Sequence, residues 1–209
     1  MREVKEPEVR KAEIIQAAKK LFQSKGYLNV TTQDIVDELK ISRGLLYYHY
    51  KSKEDILKHI VETETNSVEQ RLVAITFDDS ISVVNKIGQF IGATIIPSSA
   101  YTVENQALQE SMRLPENTYM TDQIYRKMSD KMSNYFSVIL EQGNNQGVFN
   151  VNNPKETSIF LMNAFLSTLN NRDFCISDQN IAKHYLEVFS DILNKILGIN
   201  INLVKYING

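Results

Sequence analysis

The sequence predicts an all-α chain, and three observations predict it. Glycine and proline are scarce, 8 and 4 in 209 residues, whereas sandwiches, barrels and dinucleotide-binding sheets need frequent turns. Apolar side chains recur at three- and four-residue spacing, the period of an amphipathic helix. Helix punctuation stands where that period starts and stops: Thr31, Ser42 and Pro154 open helical runs, and Gly26 closes one. With 43% hydrophobic residues, a chain of this length can bury a core without staples.

The first helix is expected over about residues 8–24, with Ile14, Ala18, Leu21 and Phe22 on one stripe and Lys11, Lys19 and Lys20 off it. Residues 27–30 are too few and too unperiodic for another helix. Thr31 or Thr32 caps the second helix, Asp34 sits where the helix dipole favours negative charge, and Ile35, Val36 and Leu39 face inward. Ser42 caps a very short third helix ending near Tyr48, with Leu46 and Tyr50 turned back to the core. Two short helices joined by a tight turn and braced by a longer one make a helix-turn-helix, here residues 1–52. The body, 53–209, opens with a connecting helix over 53–75 whose polar middle, 62–70, suits a bridge better than a core. Further helices are expected over 80–97, 103–114, 116–142, 154–171 and 177–197, with 143–147 a loop and 199–209 an apolar tail that docks somewhere.

Charge divides unevenly. Residues 1–60 hold 12 basic and 9 acidic side chains, and 61–209 hold 11 and 16. A module at +3 ahead of a body at −5 suits contact with a polyanion, although ordinary scatter gives the same numbers. Cys175 is the sole cysteine, which excludes an intramolecular disulfide and fits a reducing compartment. No apolar run approaches the ~18–20 residues of a membrane span, and the charged start lacks a secretory apolar region. A cytoplasmic protein with no membrane partner is the expectation. The chain has no glycine-rich phosphate loop, no His-Glu-x-x-His, no Gly-x-Ser-x-Gly and no cysteine pair. His49, His59 and His184 are scattered, so no catalytic residue, metal or cofactor is expected.

The chemistry lies in the third helix. With Leu46 and Tyr50 inward, Arg43, Gly44, Tyr47, Tyr48 and His49 are left outward, and exposed aromatic rings in one turn are costly unless something covers them. Arg43 can fork onto guanine O6 and N7 or a phosphate, and Gly44 lets backbone approach closely. Tyrosine hydroxyls and His49 can bond phosphate oxygens while ring edges meet thymine methyls. Lys51 and Lys53 stand at the next helix start, where backbone N–H groups also face anions. Each tyrosine taken alone is equally a packing residue; the constellation, in register with its turn and caps, reads as a major-groove reader.

Here the sequence resembles the tetracycline-repressor (TetR) family of bacterial one-component regulators. The likeness covers about residues 10–58: Ala17-Ala18-Lys19-Lys20-Leu21-Phe22, Gly26-Tyr27, Thr31-Thr32-Gln33-Asp34-Ile35 and the run from Gly44 through Leu45-Leu46-Tyr47-Tyr48-His49-Tyr50-Lys51-Ser52-Lys53 to Glu54. The resemblance implies a homeodomain-like three-helix domain, phosphate contacts by Thr32, Tyr48, His49 and Lys53, and base-edge or groove contacts by Ser42, Arg43, Gly44 and Tyr47. Gln33 is implied at a phosphate or the groove. Leu45 departs from the small or polar residue common at its position, which leaves base preference there open.

Past residue 70 the likeness is architectural, and it implies a helical body for ligand binding and dimerisation. Residues 154–171 and 177–197 suit pairing with their copies as a four-helix bundle, with Ile181, Tyr185, Val188, Ile192 and Ile196 along one side, although part of that stripe must serve the monomer core. Phe90, Met112, Met128, Met132, Phe136, Met162 and Phe165 are adaptable enough to wall a pocket for an apolar effector, and are equally ordinary core. Glu104, Glu110 or Arg113 could place a charge in it. The resulting expectation is a homodimeric repressor on a palindromic double-stranded DNA operator, released by a small hydrophobic effector. Its rivals are a DNA-binding dimer without an effector and a helical enzyme with an accessory DNA-binding module.

Overall fold

The computed structural model describes residues 6–95, 114–170 and 179–206, and every regular element among them is helical. The helices are α1 (Pro7–Lys25), α2 (Thr32–Leu39), α3 (Arg43–His49), α4 (Lys53–Phe77), α5 (Val83–Thr94), α6 (Thr118–Asn145), α7 (Pro154–Asn170) and α8 (Gln179–Leu197). Short 3-10 turns occupy Tyr27–Asn29, Pro115–Asn117 and Leu203–Tyr206. The chain divides into two compact units. Of the described residues, the first holds 6–64 and 114–124, and the second holds 65–95, 125–170 and 179–206. The first unit thus reaches past the sequence-derived boundary at residue 52 and takes in the segment 114–124, distant in sequence.

In the first unit α1 starts on Pro7, which has no N–H to lose, and buries Ile14, Ala17, Ala18, Leu21 and Phe22. It stops at Gly26, whose φ of +84° a side chain tolerates poorly. α2 opens with a capping box: Thr31 Oγ1 accepts from Asp34 N–H, and the Asp34 carboxylate accepts from Thr31 N–H. α2 ends on Lys40 in the left-handed region, φ 52°, which turns the chain toward α3. Ser42 caps α3 by accepting from Leu45 N–H at 3.2 Å. At seven residues α3 is too short to persist alone. Leu46 is 0% exposed, a burial worth about 2–5 kcal/mol against alanine, and it pins α3 to Ile35, Phe22 and the start of α4.

The second unit has its own core, in which Leu72 of α4, Ile87 and Phe90 of α5, Phe136 and Ile139 of α6 and Leu193 of α8 are fully buried. Lys86 is buried among them with its ammonium satisfied, donating to Thr76 O and Gln142 Oε1 at 2.8 Å each. The polar middle of α4 is met inside this unit too: Lys131 Nζ lies 2.6 Å from Glu69 and 3.0 Å from Thr65 Oγ1 and Asn66 Oδ1.

Several boundaries differ from the sequence expectations for physical reasons. The helix expected over 80–97 begins at Val83, because Ser82 is its cap, and ends at Thr94. The 103–114 helix lies outside the described residues, except for Leu114, which precedes a 3-10 turn. The expected loop at 143–147 starts late, since α6 runs to Asn145. Gly143 is a packing glycine: a Cβ there would run into the ring of Phe149. The tail finds its dock, with Ile201 and Leu203 buried and Tyr206 lying over Gly88 and Gly92 of α5, its hydroxyl donating to Asn85.

Candidate nucleic-acid interface

α3 presents the face that the sequence predicts. Leu46 and Tyr50 are buried, while Ser42, Arg43, Gly44, Tyr47 and Tyr48 are exposed and His49 is half-buried. Tyr48 is 76% exposed, with its ring against His49 at 4.9 Å, and Tyr47 is 46% exposed. A Cβ at Gly44 would meet nothing within 4 Å, so glycine there leaves open surface on the first turn of α3. Across the turn, Thr32 Oγ1 lies 3.2 Å from Tyr47 Oη, which brings a predicted phosphate contact of α2 and a predicted groove contact of α3 to one edge. Gln33, half-buried, donates to Asp37 at 2.7 Å.

The electrostatics of this edge come from caps and neighbours. Hydrogen bonds from the Thr31 hydroxyl and amide, with Lys25 at 3.4 Å, hold the Asp34 carboxyl down at about 2, so it stays ionised as the cap of α2. Burial, with Asp55 and Glu8 nearby, pushes the Tyr50 phenol up to about 12, and its hydroxyl lies 3.3 Å from His59 Nδ1.

Lys53 takes a direction that the sequence does not give. Its ammonium points inward, donating to Tyr27 O and Val30 O at 2.9 Å each and lying 4.4 Å from the Tyr27 ring centroid. An ammonium has three N–H groups, so two are committed to the fold and at most one is left for a phosphate. Sequence spacing puts Lys53 at a helix start but says nothing of which carbonyls face it.

Of the residues considered for an effector, Phe90, Met132, Phe136, Met162 and Phe165 are buried in the second core, Met128 is half-buried at its edge, and Met112 lies outside the described residues, as do Glu104, Glu110, Arg113 and Cys175. Phe90 and Phe136 touch, their centroids 5.5 Å apart, so these side chains fill space. A groove of ≈200 Å³ instead runs between α7 and α8. It takes Phe165 from the effector set and Tyr185, Val188 and Ile192 from the dimer set. Val188, Ile192 and Ile196 are exposed, Ile181 and Tyr185 half-buried, and the unpredicted Phe160 is 78% exposed. Phe160 was legible as an apolar residue in a helix; its outward direction was not.

A three-helix module with a short capped helix standing outward has the architecture of a helix-turn-helix. Residues 14–60 match the family model of the bacterial regulatory proteins, tetR family. The chain is 28% identical over 151 residues to YfiR, an HTH-type transcriptional regulator of Bacillus subtilis, covering 71% of this chain and 72% of that one. It is 26% identical over 162 residues to the regulator QacR of Staphylococcus aureus, covering 74% and 81%. In fold it is similar to SmeT, the repressor of the Stenotrophomonas maltophilia multidrug efflux pump SmeDEF, with TM-score 0.67, 20% identity and 90% of each chain covered. The SmeT–triclosan complex superposes with TM-score 0.69, 18% identity and 90% and 92% coverage. No described helix is long and apolar enough to cross a membrane.

Proposed function

We propose that this chain is a cytoplasmic transcriptional repressor that acts as a homodimer on a two-fold symmetric DNA operator and is released by a small apolar effector. The carrying observation is the outward face of α3, where Arg43, Gly44 and the exposed Tyr47 and Tyr48 stand on a helix pinned by Leu46. Arg43, Gly44, Ser42 and Tyr47 face the bases, and Thr32, Gln33, Tyr48 and His49 grip the flanking phosphates. Two copies of α3 reach half-sites about 34–36 Å apart, which one copy cannot do. Dimerisation draws support from the exposed apolar residues of α7 and α8, Phe160, Val188, Ile192 and Ile196, on a face that is uncovered in the single chain. Effector binding draws support from the methionine- and phenylalanine-rich core of the second unit and from the triclosan complex of SmeT. The rival reading, a DNA-binding dimer without an effector, draws on the closed packing of Phe90 against Phe136.

The test is selection of duplexes from a random-sequence library by the wild-type protein, followed by titration of the enriched duplex. Arg43→Ala and Tyr47→Ala are expected to weaken binding by about 1–3 kcal/mol with folding intact. Unchanged affinity in both variants would remove the contact assignment. Release of that duplex by members of a panel of apolar and cationic compounds, with a rise in melting temperature, separates the effector-responsive form from its rival.

A further inference from the structure

We infer that Asn117, together with Met120, is a positioning residue for the DNA-reading helices, holding the 27–30 turn on which α2 and α3 are set. The inference rests on reading α3 as the DNA-reading helix.

The argument starts at Gly26. Its positive φ ends α1, so the next amide, that of Tyr27, leaves the helical ladder, and Tyr27 is 3% exposed. A buried N–H without an acceptor is costly. The acceptor comes from ninety residues along the chain: Tyr27 N–H donates to Asn117 Oδ1 at 3.0 Å, and Asn117 is itself fully buried. Glycine is needed at 26 for a second reason, since a Cβ there would run into the Glu116 side chain. Tyr119 stacks on Tyr27 with centroids 5.5 Å apart, and Met120 is buried in the same core as Leu46, Ile35 and Phe22. The three-helix module therefore does not close its own core. The segment at 115–120 completes it.

The turn so held leads to the reading face by short steps. Its carbonyls at Tyr27 and Val30 receive the Lys53 ammonium from the start of α4. Val30 is buried and precedes Thr31, the cap of α2. The next residue, Thr32, bonds Tyr47 of α3. Removing the Asn117 acceptor leaves the Tyr27 amide unpaired and the turn held by Lys53 alone of these two anchors, so the Thr32–Tyr47 edge keeps its register less firmly. Neither Asn117 nor Met120 is on the exposed face of α3, so neither substitution removes a DNA contact.

The experiment uses the full-length protein and the duplex it selects from a random library. Asn117→Ala and Met120→Ala are compared with Arg43→Ala and with Leu140→Ala, a control that opens a cavity in the second core. All are titrated at a temperature where thermal melting shows each variant fully folded. The expected result for Asn117→Ala is a Kd about tenfold higher, the order of one lost buried hydrogen bond. The salt slope should stay at the wild-type value, because no cationic phosphate contact is removed. Amide exchange should speed up at 27–34 and stay slow within α1. Leu140→Ala should lower the melting temperature and leave Kd alone. If Arg43→Ala weakens binding while Asn117→Ala and Met120→Ala bind as wild type, the positioning role is overturned. If Leu140→Ala weakens binding as much as they do, the effect is general instability and the role is likewise overturned. If no duplex is enriched, or Arg43→Ala also binds normally, the reading of α3 fails and takes this inference with it.

Discussion

Replacing Lys53 with methionine separates the two roles this side chain can have. Methionine keeps much of the apolar stem and removes the ammonium, so the substitution deletes two hydrogen bonds of 2.9 Å to Tyr27 O and Val30 O and the cation over the Tyr27 ring. A hydrogen bond from a charged donor contributes about 1.5–3 kcal/mol when buried. Lys53 is only half-buried, and water can replace part of each bond, so the pair together is worth about 2 kcal/mol, with about 0.5 kcal/mol more from the ring. At a urea dependence of about 1–3 kcal/mol per molar, the unfolding midpoint of the first unit falls by about 1 M, read from the fluorescence of its buried tyrosines. The same variant is titrated with the selected duplex at several salt concentrations. A phosphate ligand lost from each protomer would lower the salt slope by about 0.9 per contact. An internal staple leaves the slope unchanged even if affinity drops. A reduced slope with an unmoved unfolding midpoint would refute the inward assignment of Lys53.

Other expectations follow from the same geometry. Phe160→Asp, on a face exposed in the single chain, should convert the protein to folded monomers in sedimentation equilibrium and abolish cooperative operator binding; a dimer that survives would exclude this face. Stability should be flat toward neutral pH and fall as pH rises from about 10 to about 12. Unfolded tyrosines ionise near their ordinary value, whereas burial keeps Tyr27 and Tyr50 protonated up to about 12, so the unfolded state releases protons first. Melting temperature against pH checks this, and Tyr50→Phe should shallow the alkaline limb. On the acid side, the contribution of the Asp34 cap is present above its ordinary value near 3.8 and lost as pH falls toward about 2, and Asp34→Asn should remove that dependence.

The sequence by itself determined what depends on near neighbours. Helical period, the caps at Thr31 and Ser42 and the stop at Gly26 act over three or four residues, so the module and the outward side of α3 were legible from residue order. The choice of Leu46 and Tyr50 for the inside followed from the same short-range arithmetic. Tertiary structure decided everything that joins distant residues. Asn117 meets Tyr27 across ninety positions, Lys53 turns to carbonyls at 27 and 30, and Tyr206 lies over two glycines of α5. The apolar residues of the body show the same division. Phe136 and Phe160 look alike in sequence, yet one is fully buried and the other stands out from α7, because burial depends on which surfaces meet, and no local pattern records that.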